Sequence, residues 1–379
     1  MTILALSVLA LWLAALLLAI VNLRLVPRLH DPAEIPADAP LVSIIIPARN
    51  EDRSIEGTLR CFLMQQYPSF EIILVNDRST DRTGEIAEEI ARDDGRLRVV
   101  HGEEPPPGWL GKPWALHEGS LVARGDVLLF VDADIVYHPH ALGAAVDFFQ
   151  RSDAGLVALL PRFALHGFWE HIAMPQLAFL VFASTPLWLA NRTRHRLLAI
   201  GGGPGNLVRR SAYEKAGGHA AIRNAVIDDV GLARLIRRHA PTMAVLADDY
   251  VSVRMYQGLG EIVRGFTKNM WFVFGGSLTG AFILHLMTVV FHIAPYLWAF
   301  GAEGNLQRVG LATIGIISLT RLIVFVPLHY GALNAIFGHP LMTAVWLIIF
   351  ARSTWIVGIR RQLGWRGRSY DATKKEFGA

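Results

Sequence analysis

The stretch Val127–Ile135, VLLFVDADI, runs five apolar residues into two acids, Asp132 and Asp134, separated by a single alanine. On a continuing strand, residues two apart leave from the same face, so both carboxylates would stand side by side. Like charges held that close raise each other's pKa unless a positive group sits between them. A divalent cation is the simplest such group, and hard carboxylate oxygens suit Mg2+ or Mn2+. Two solvated turn residues after a strand are the plainer reading of a lone D-x-D. The choice depends on what else the chain brings to the same place.

Several other short clusters have chemical potential. Lys112 follows Gly111 in a loop rich in proline and glycine, EEPPPGWLGK, just ahead of a helical segment. A cation there can reach phosphate oxygens, and the helix N-terminus adds backbone donors; an exposed surface lysine would look the same in sequence. Asp228 and Asp229 head the segment VIDDVGLAR, where paired acids also suit a helix dipole. The run GGGPGN (201–206) is a backbone turn that could let a substrate approach closely, or only a loop.

The elements that position these residues can be read from the alternation of apolar runs and polar breaks. PLVSIIIPARNE (40–51), FEIILVNDRSTD (70–81), LRVVHG (97–102) and the D-x-D segment each read as a strand. SIEGTLRCFLMQQ, RTGEIAEEIARDDG and PWALHEGSLVARG read as the helices between them. Such alternation predicts an α/β domain with a mainly parallel, Rossmann-like sheet covered on both faces. Ligands of such sheets bind beyond the carboxyl ends of the strands. The clusters 47–51, 76–81 and 132–134 all fall at such ends, which favours a functional D-x-D over a solvated turn.

Around this domain the chain is too apolar for an ordinary soluble protein, with 53% hydrophobic and 18% charged residues. Residues 3–23 form a charge-free run long enough to cross a bilayer, which takes about 20 residues. No basic residue precedes that run, and it is longer than a signal peptide's apolar core, so an uncleaved span is expected. Arg24 and Arg28 follow it and predict a cytoplasmic central domain by the positive-inside rule. Three further spans are expected near 278–300, 309–330 and 341–359. One span before the domain and three after would leave the basic tail outside, whereas positive-inside places it inside; a re-entrant segment would reconcile the two. The expected organisation is a first helix at 1–27, a catalytic domain at 38–260, an interfacial amphipathic helix at 261–276, a membrane region at 277–360 and a basic tail at 361–379. Arg321, His285 and His292 fall inside predicted spans, where polar groups face other helices. Much of the net charge of +4 lies in that tail and suggests anionic headgroups, not nucleic acid, because no basic-and-aromatic RNA-binding motif is present. Cys61, the lone cysteine, excludes a disulfide and a cysteine-based metal site.

PARNE, VNDRSTD, GK-x-x-AL and DAD, in this order over roughly residues 40–275, resemble the nucleotide-sugar half of a family-2 inverting glycosyltransferase of the GT-A type. GGHAAIRNAVIDDVGLAR, GFTKN and WRGRSY are similar to the membrane-bound lipid branch, which includes hopene-associated, carotenoid and ceramide glycosyltransferases. FWEHIAMP (168–175) is closest to the hopene-associated members. The resemblance implies a multi-pass protein of the plasma membrane that moves a sugar from a nucleotide-sugar donor, a UDP-sugar first, to a membrane lipid such as a hopanoid, carotenoid or other polyisoprenoid. A polyprenyl-phosphate acceptor and an inactive lipid-binding scaffold are the alternatives. It further implies that Asp134 binds the metal directly, with Asp132 on the ribose or the metal's water shell, and that Asp77 accepts a hydrogen bond from a uracil. Pro47, Arg49 and Glu51 would border the base and ribose, and Lys112 the phosphates. Asp229 would be the base that takes the acceptor's proton, with Asp228 beside it. Two positions depart from the pattern. The second motif begins with Asn76 where an acid is usual, and Q-x-x-R-W is missing, which leaves Arg264 or Lys268 to meet the leaving diphosphate.

Overall fold

The computed structural model describes residues 1–371 apart from 33, 37, 274, 366 and 367; the side chains of 268, 272 and residues beyond 362 are outside the description. The chain divides into two compact units. One comprises residues 26–164 and 188–255; the other comprises 1–25, 165–187 and 256 onward.

The first unit carries strands β1 (Val42–Ala48), β2 (Phe70–Asn76), β3 (Leu97–His101), β4 (Val127–Phe130), β5 (Ile135–Tyr137), β6 (Leu156–Leu160), β7 (Arg162–Phe163), β8 (Asn206–Arg209), β9 (Thr242–Leu246) and β10 (Val251–Val253). Seven of them form one sheet in the order β3-β2-β1-β4-β8-β6-β9, and β5, β10 and β7 form a small second sheet. In the large sheet β1 to β4 run parallel, while β8 is antiparallel to both of its neighbours. Both faces are covered, so the strands read as unbroken apolar runs rather than alternating ones. Ile44 and Ile46 of β1 face helices Ile55–Leu63 and Ala141–Arg151 through Phe62 and Phe149. Ile45 faces helices Gly111–Val122, Arg210–Ala216 and Asp228–Ile236 through Leu116, Tyr213 and Leu232. At the sheet's far edge the segment around Arg28 lies along β9, with Leu246 donating to Pro27 O and Leu29 to Leu246 O, both at 2.8 Å.

The sheet splits where the ligand crevice of such folds is expected. β1 pairs with β2 as far as Ala48↔Asn76, but with β4 only as far as Ile45↔Phe130. Val131 donates to Ile45 O, so every second residue of β1 turns its backbone toward β4, and Pro47 is the next in that series. Proline has no N–H to offer a ladder there, and a proline within a sheet is tolerated where a neighbour is missing. Pro47 thus marks the point where β4 leaves the sheet. The same divergence corrects the D-x-D expectation. β4 ends at Phe130, Asp132 lies in the irregular segment after it and Asp134 in the next turn, so strand geometry does not put their carboxylates on one face.

In the second unit, four helices among the described residues are long and apolar enough to cross a membrane: Thr2–Leu25, Leu278–Gly301, Gly304–Phe325 and His339–Ile359. The third ends about five residues earlier than the sequence suggested, at a turn where His329 adopts a positive φ of 61°. The amphipathic helix covers Gly258–Val273. The segment 165–187 covers most of the apolar run 168–190, expected from sequence to rest on the bilayer, with a core helix or a further span as alternatives; it packs in this unit as two helices, Phe168–Ala173 and Pro175–Ser184. Asn22 of the first helix, fully buried, donates to Phe182 O and Thr185 O at 2.8 Å. Glu170 of the FWEH motif is 3% exposed and accepts from the N–H of His166 (2.8 Å) and of Gly258 (3.2 Å). It therefore anchors the start of the amphipathic helix. Arg321 is fully buried and donates to Ala335 O and Asn334 O, both at 3.0 Å, a packing role. Of the basic tail, the described part forms strands β11 (Gln362–Trp365) and β12 (Arg368–Asp371); residues 372–379 lie outside the described residues.

Candidate active site

Beyond the end of β4 lies a partly open cavity lined by Lys112, Asp132, Gly202, Gly203, Asn206, His219, Asp228 and Asp229, with Leu116, Phe130, Val131 and Leu232 as its apolar wall. Four elements converge here. The helix Gly111–Val122 begins at Gly111, so Lys112 sits in its first turn with Pro113, a residue suited to a helix start. The residues after β4 bring Asp132. The turn before β8 brings Gly202 and Gly203, and the helix Asp228–Ile236 offers both acids from its first turn.

Lys112 stands at the centre. Its Nζ is 2.7 Å from Asp132 Oδ1 and 3.2 Å from Asp228 Oδ1. Burial alone would discharge the ammonium, but the carboxylates of Asp132, Asp228 and Asp229 hold its pKa well above the ordinary lysine value. The acids respond in the opposite sense. Burial pushes Asp228 up to about 6, because Lys112 only partly offsets the cost of desolvation and the charges of Asp229 and Asp132. Burial and Asp132 likewise raise Asp229, against the pull of Lys112 and of the Val230 and Gly203 N–H groups. Asp229 Oδ1 accepts from Val230 N at 2.7 Å and makes no ion pair with Lys112 within 4.0 Å. The cluster thus offers a buried, permanently charged ammonium beside a carboxylate with elevated proton affinity.

The glycine turn is shaped to these acids. A Cβ on Gly201 would come within 2.1 Å of Asp229 O, and one on Gly203 within 2.1 Å of Asp132 Oδ2. Asp132 N also donates to Gly203 O at 2.9 Å. Asn206 ties the turn to the acid-bearing helix, accepting from Gly202 N (3.2 Å) and donating to Asp229 O (3.3 Å). Sequence reading treated GGGPGN as backbone only and missed this side chain. It also missed His219, 1% exposed, whose Nδ1 meets Tyr213 OH at 2.8 Å. Burial and the Lys112 charge push His219 down to about 3, so it faces the cavity as a neutral ring. In both cases the available signal was a polar residue directly after a glycine, in GGGPGN and in GGH: a side chain next to a close-packed turn.

The motifs at the ends of β1 and β2 form a second group. Asp77 is 2% exposed, and its N–H donates to Ala48 O at 2.8 Å. Arg49 directs Nη1 to Asp77 O (2.7 Å) and Arg78 O (3.2 Å), bracing the two loops. Asn50 and Arg78, both with φ of 53°, hold the tight turns of this junction, and Asn50 Oδ1 accepts from Thr80 N at 2.8 Å. Just ahead of helix Ile55–Leu63, Glu51 accepts from Ser54 Oγ at 3.2 Å, while its N–H donates to Thr83 Oγ1 at 2.8 Å. The departure at Asn76 has a local reason: its Oδ1 accepts from Ser79 N at 3.1 Å, an Asx-type turn that an amide serves without adding charge. Pro47, Arg49, Glu51 and Asp77 are thus placed along the crevice and not on the cavity wall. Asp134, half-buried in the turn after Asp132, also lies outside that wall. Lys268 belongs to the helical unit, and its side chain is outside the described residues.

The donor set can be weighed against a divalent cation. Among the described residues no group of three or more His, Cys, Asp or Glu side chains could hold one unaided. Asp132 and Asp134 supply hard oxygens too few to hold an ion alone, which fits one whose remaining ligands come from a diphosphate and water.

Residues 43–217 match glycosyl transferase family 2. That match lies within the central domain. The match takes in Pro47, Asp77, Lys112 and the D-x-D but stops short of Asp228 and Asp229, which the tertiary structure brings to the same cavity. A 4,4'-diaponeurosporenoate glycosyltransferase of Staphylococcus haemolyticus is 29% identical over 250 residues, and the match spans 65% of this chain and 64% of that relative's length. The protein of the same name from Staphylococcus aureus strain USA300 is 25% identical over 357 residues, 88% of this chain and 89% of its own. Among solved structures, the mannosyltransferase PcManGT from Pyrobaculum calidifontis, in complex with GDP-Man and Mn2+, shares the fold with a TM-score of 0.55 at 21% identity, over 94% of this chain and 98% of its own.

Proposed function

We propose that this chain transfers a sugar, with inversion, from a nucleotide sugar to a lipid at the membrane surface. The observation that carries the reading is the cavity in which Lys112 gathers Asp132 and Asp228 while Asp229 makes no ion pair with the ammonium. The nucleoside half of a UDP-sugar would lie along the crevice, with Asp77 accepting from the base imide. Lys112 and the backbone N–H groups at the start of its helix would face the diphosphate. Asp229 would take the acceptor hydroxyl's proton as the acceptor oxygen bonds to the anomeric carbon and the bond to the diphosphate breaks on the opposite face. Its elevated pKa suits that task. A Mg2+ or Mn2+ ion on Asp132 and Asp134 would neutralise charge on the diphosphate.

The acceptor class follows from two observations. Four helices can cross a membrane, and the relatives carry the name of a carotenoid glycosyltransferase. An apolar isoprenoid lipid, carotenoid or hopanoid, is therefore the acceptor proposed here. The test is nucleoside diphosphate release by the detergent-purified full chain. UDP- and GDP-sugars would be offered with Mn2+, Mg2+ or chelator, beside Asp132→Ala/Asp134→Ala, before lipid extracts are screened as acceptors. Metal-dependent turnover of one donor, absent in the double variant, is expected. Donor turnover that persists unchanged in chelator and in the double variant would overturn the role given to these acids.

A further inference from the structure

Residues 188–200, WLANRTRHRLLAI, contain three arginines and a histidine and no acid. They begin directly after the helical unit's segment 165–187 and end next to Gly202 and Gly203, which line the catalytic cavity. The backbone of this loop is pinned from within its own unit. Arg237, 2% exposed, donates to Ala190 O (2.7 Å), His195 O (3.1 Å) and Thr242 O (2.9 Å). Asn191 exchanges two hydrogen bonds of 2.8 Å with the Ala244 backbone. Between these pins and just past the last of them, Arg192, Arg194, His195 and Arg196 are exposed to solvent, and Leu197 is 70% exposed.

Among the described residues no ion pair involves any of the three arginines. Arg192 lies over the Trp188 ring, 5.8 Å from its centroid. A mobile loop could spread its charges apart; this one is held with three like charges on alternate residues. The arrangement concentrates positive potential on one exposed stretch, which draws anions to it. A soluble phosphate would satisfy the arginines but would leave a bare leucine beside them. A bilayer surface satisfies both, with phosphates for the guanidinium groups and the acyl boundary for the leucine.

We propose that the loop 191–197 docks on anionic phospholipid headgroups, with Arg192, Arg194 and Arg196 on lipid phosphates and Leu197 inserted at the acyl boundary. Because the same loop runs into the Gly202–Gly203 turn, docking brings the wall of the catalytic cavity to the headgroup layer, where a lipid acceptor presents its polar end. The inference does not depend on which sugar or lipid is used.

The full chain in nanodiscs provides the test. Leu197→Cys would be labelled with a bimane probe. Cys61, the one native thiol, is buried and pushed up to about 11, so it is spared. Brominated lipid is expected to quench the probe in phosphatidylglycerol-containing discs, less in pure phosphatidylcholine and less again at high salt. Replacing Arg192, Arg194 and Arg196 by Gln is expected to weaken docking roughly fivefold per arginine, with Arg237 and Asn191 left to hold the backbone. Donor hydrolysis in detergent should stay unchanged in that variant, which separates this proposal from the transferase reading. A probe that remains in water in both disc types, or quenching that ignores the three substitutions, would overturn it. So would inorganic phosphate in detergent producing the same probe shift as anionic lipid.

Discussion

Replacing Asp228 by Asn should make the ligand-free chain more stable at neutral and alkaline pH. Asp228 is 6% exposed and shares one ammonium with Asp132, while Asp229 adds a further negative charge. Its folded-state pKa of about 6 lies above the value of about 3.9 for an unfolded aspartate. The folded chain therefore binds this proton more tightly than the unfolded chain does. The resulting stabilisation is complete below about pH 4 and is lost as pH rises through about 6. The gap between those two values makes the charge cost about 3 kcal/mol above pH 7. Asparagine removes that cost but takes one of two partners from Lys112, whose closer contact, Asp132 at 2.7 Å, remains. The net gain expected at pH 8 is thus about 1–2 kcal/mol, a rise of roughly 2–8 °C in the unfolding midpoint for a domain of this size. At pH 4.5 folded wild type carries the proton while most unfolded chains have lost it, so roughly two thirds of that cost has gone and the gap between the two proteins should shrink to less than half its pH 8 value. The assay is thermal unfolding of the detergent-solubilised chain, without donor or metal, at both pH values. Asp228→Asn melting at or below wild type at pH 8, or showing the same gain at pH 4.5, would refute the electrostatic reasoning.

Other substitutions separate the roles within the cluster. Asp229→Asn should lower kcat by roughly 10²–10⁴-fold while donor affinity, read by calorimetry, stays within a few-fold; equal loss of both would remove the base assignment. Gly203→Ala meets only the Asp132 carboxylate, which can rotate away, so it should weaken Mn2+-dependent nucleotide binding without lowering the melting temperature much. Gly201→Ala meets the Asp229 backbone at 2.1 Å and has no such escape, so it should destabilise the chain itself, visible as a lower midpoint in the same melts. The transfer rate should rise with pH above the acid range as the raised carboxyl of Asp229 ionises, and that limb should vanish from the residual rate of Asp229→Asn.

The sequence alone determined the class of the fold and the strand ends on which chemistry was to be sought. Period, length and turn residues mark β1 to β4 and the helices between them, because each of those signals is local. The same holds for the span-capable helices, where length and apolarity decide. Local signals also placed Lys112 and the acid pair at helix starts. They could not say that these positions share one cavity. Asp228 lies 116 positions from Lys112 along the chain, and only the antiparallel insertion of β8 beside β4 brings the Gly203 turn and the helix carrying Asp228 against Lys112.

Tertiary structure also decided against the same-face geometry of the D-x-D. β4 stops pairing at Phe130, and Pro47 leaves no donor to prolong the ladder beyond Ile45↔Phe130. The partner that sequence reasoning sought for the paired acids was a metal between Asp132 and Asp134. The chain itself first supplies Lys112, on Asp132 and Asp228. Residue types and spacing within a segment specify which groups are present and which local elements carry them. Which charge faces which depends on long-range strand order and on how closely glycine lets two backbones approach, and those are fixed only when the sheet closes.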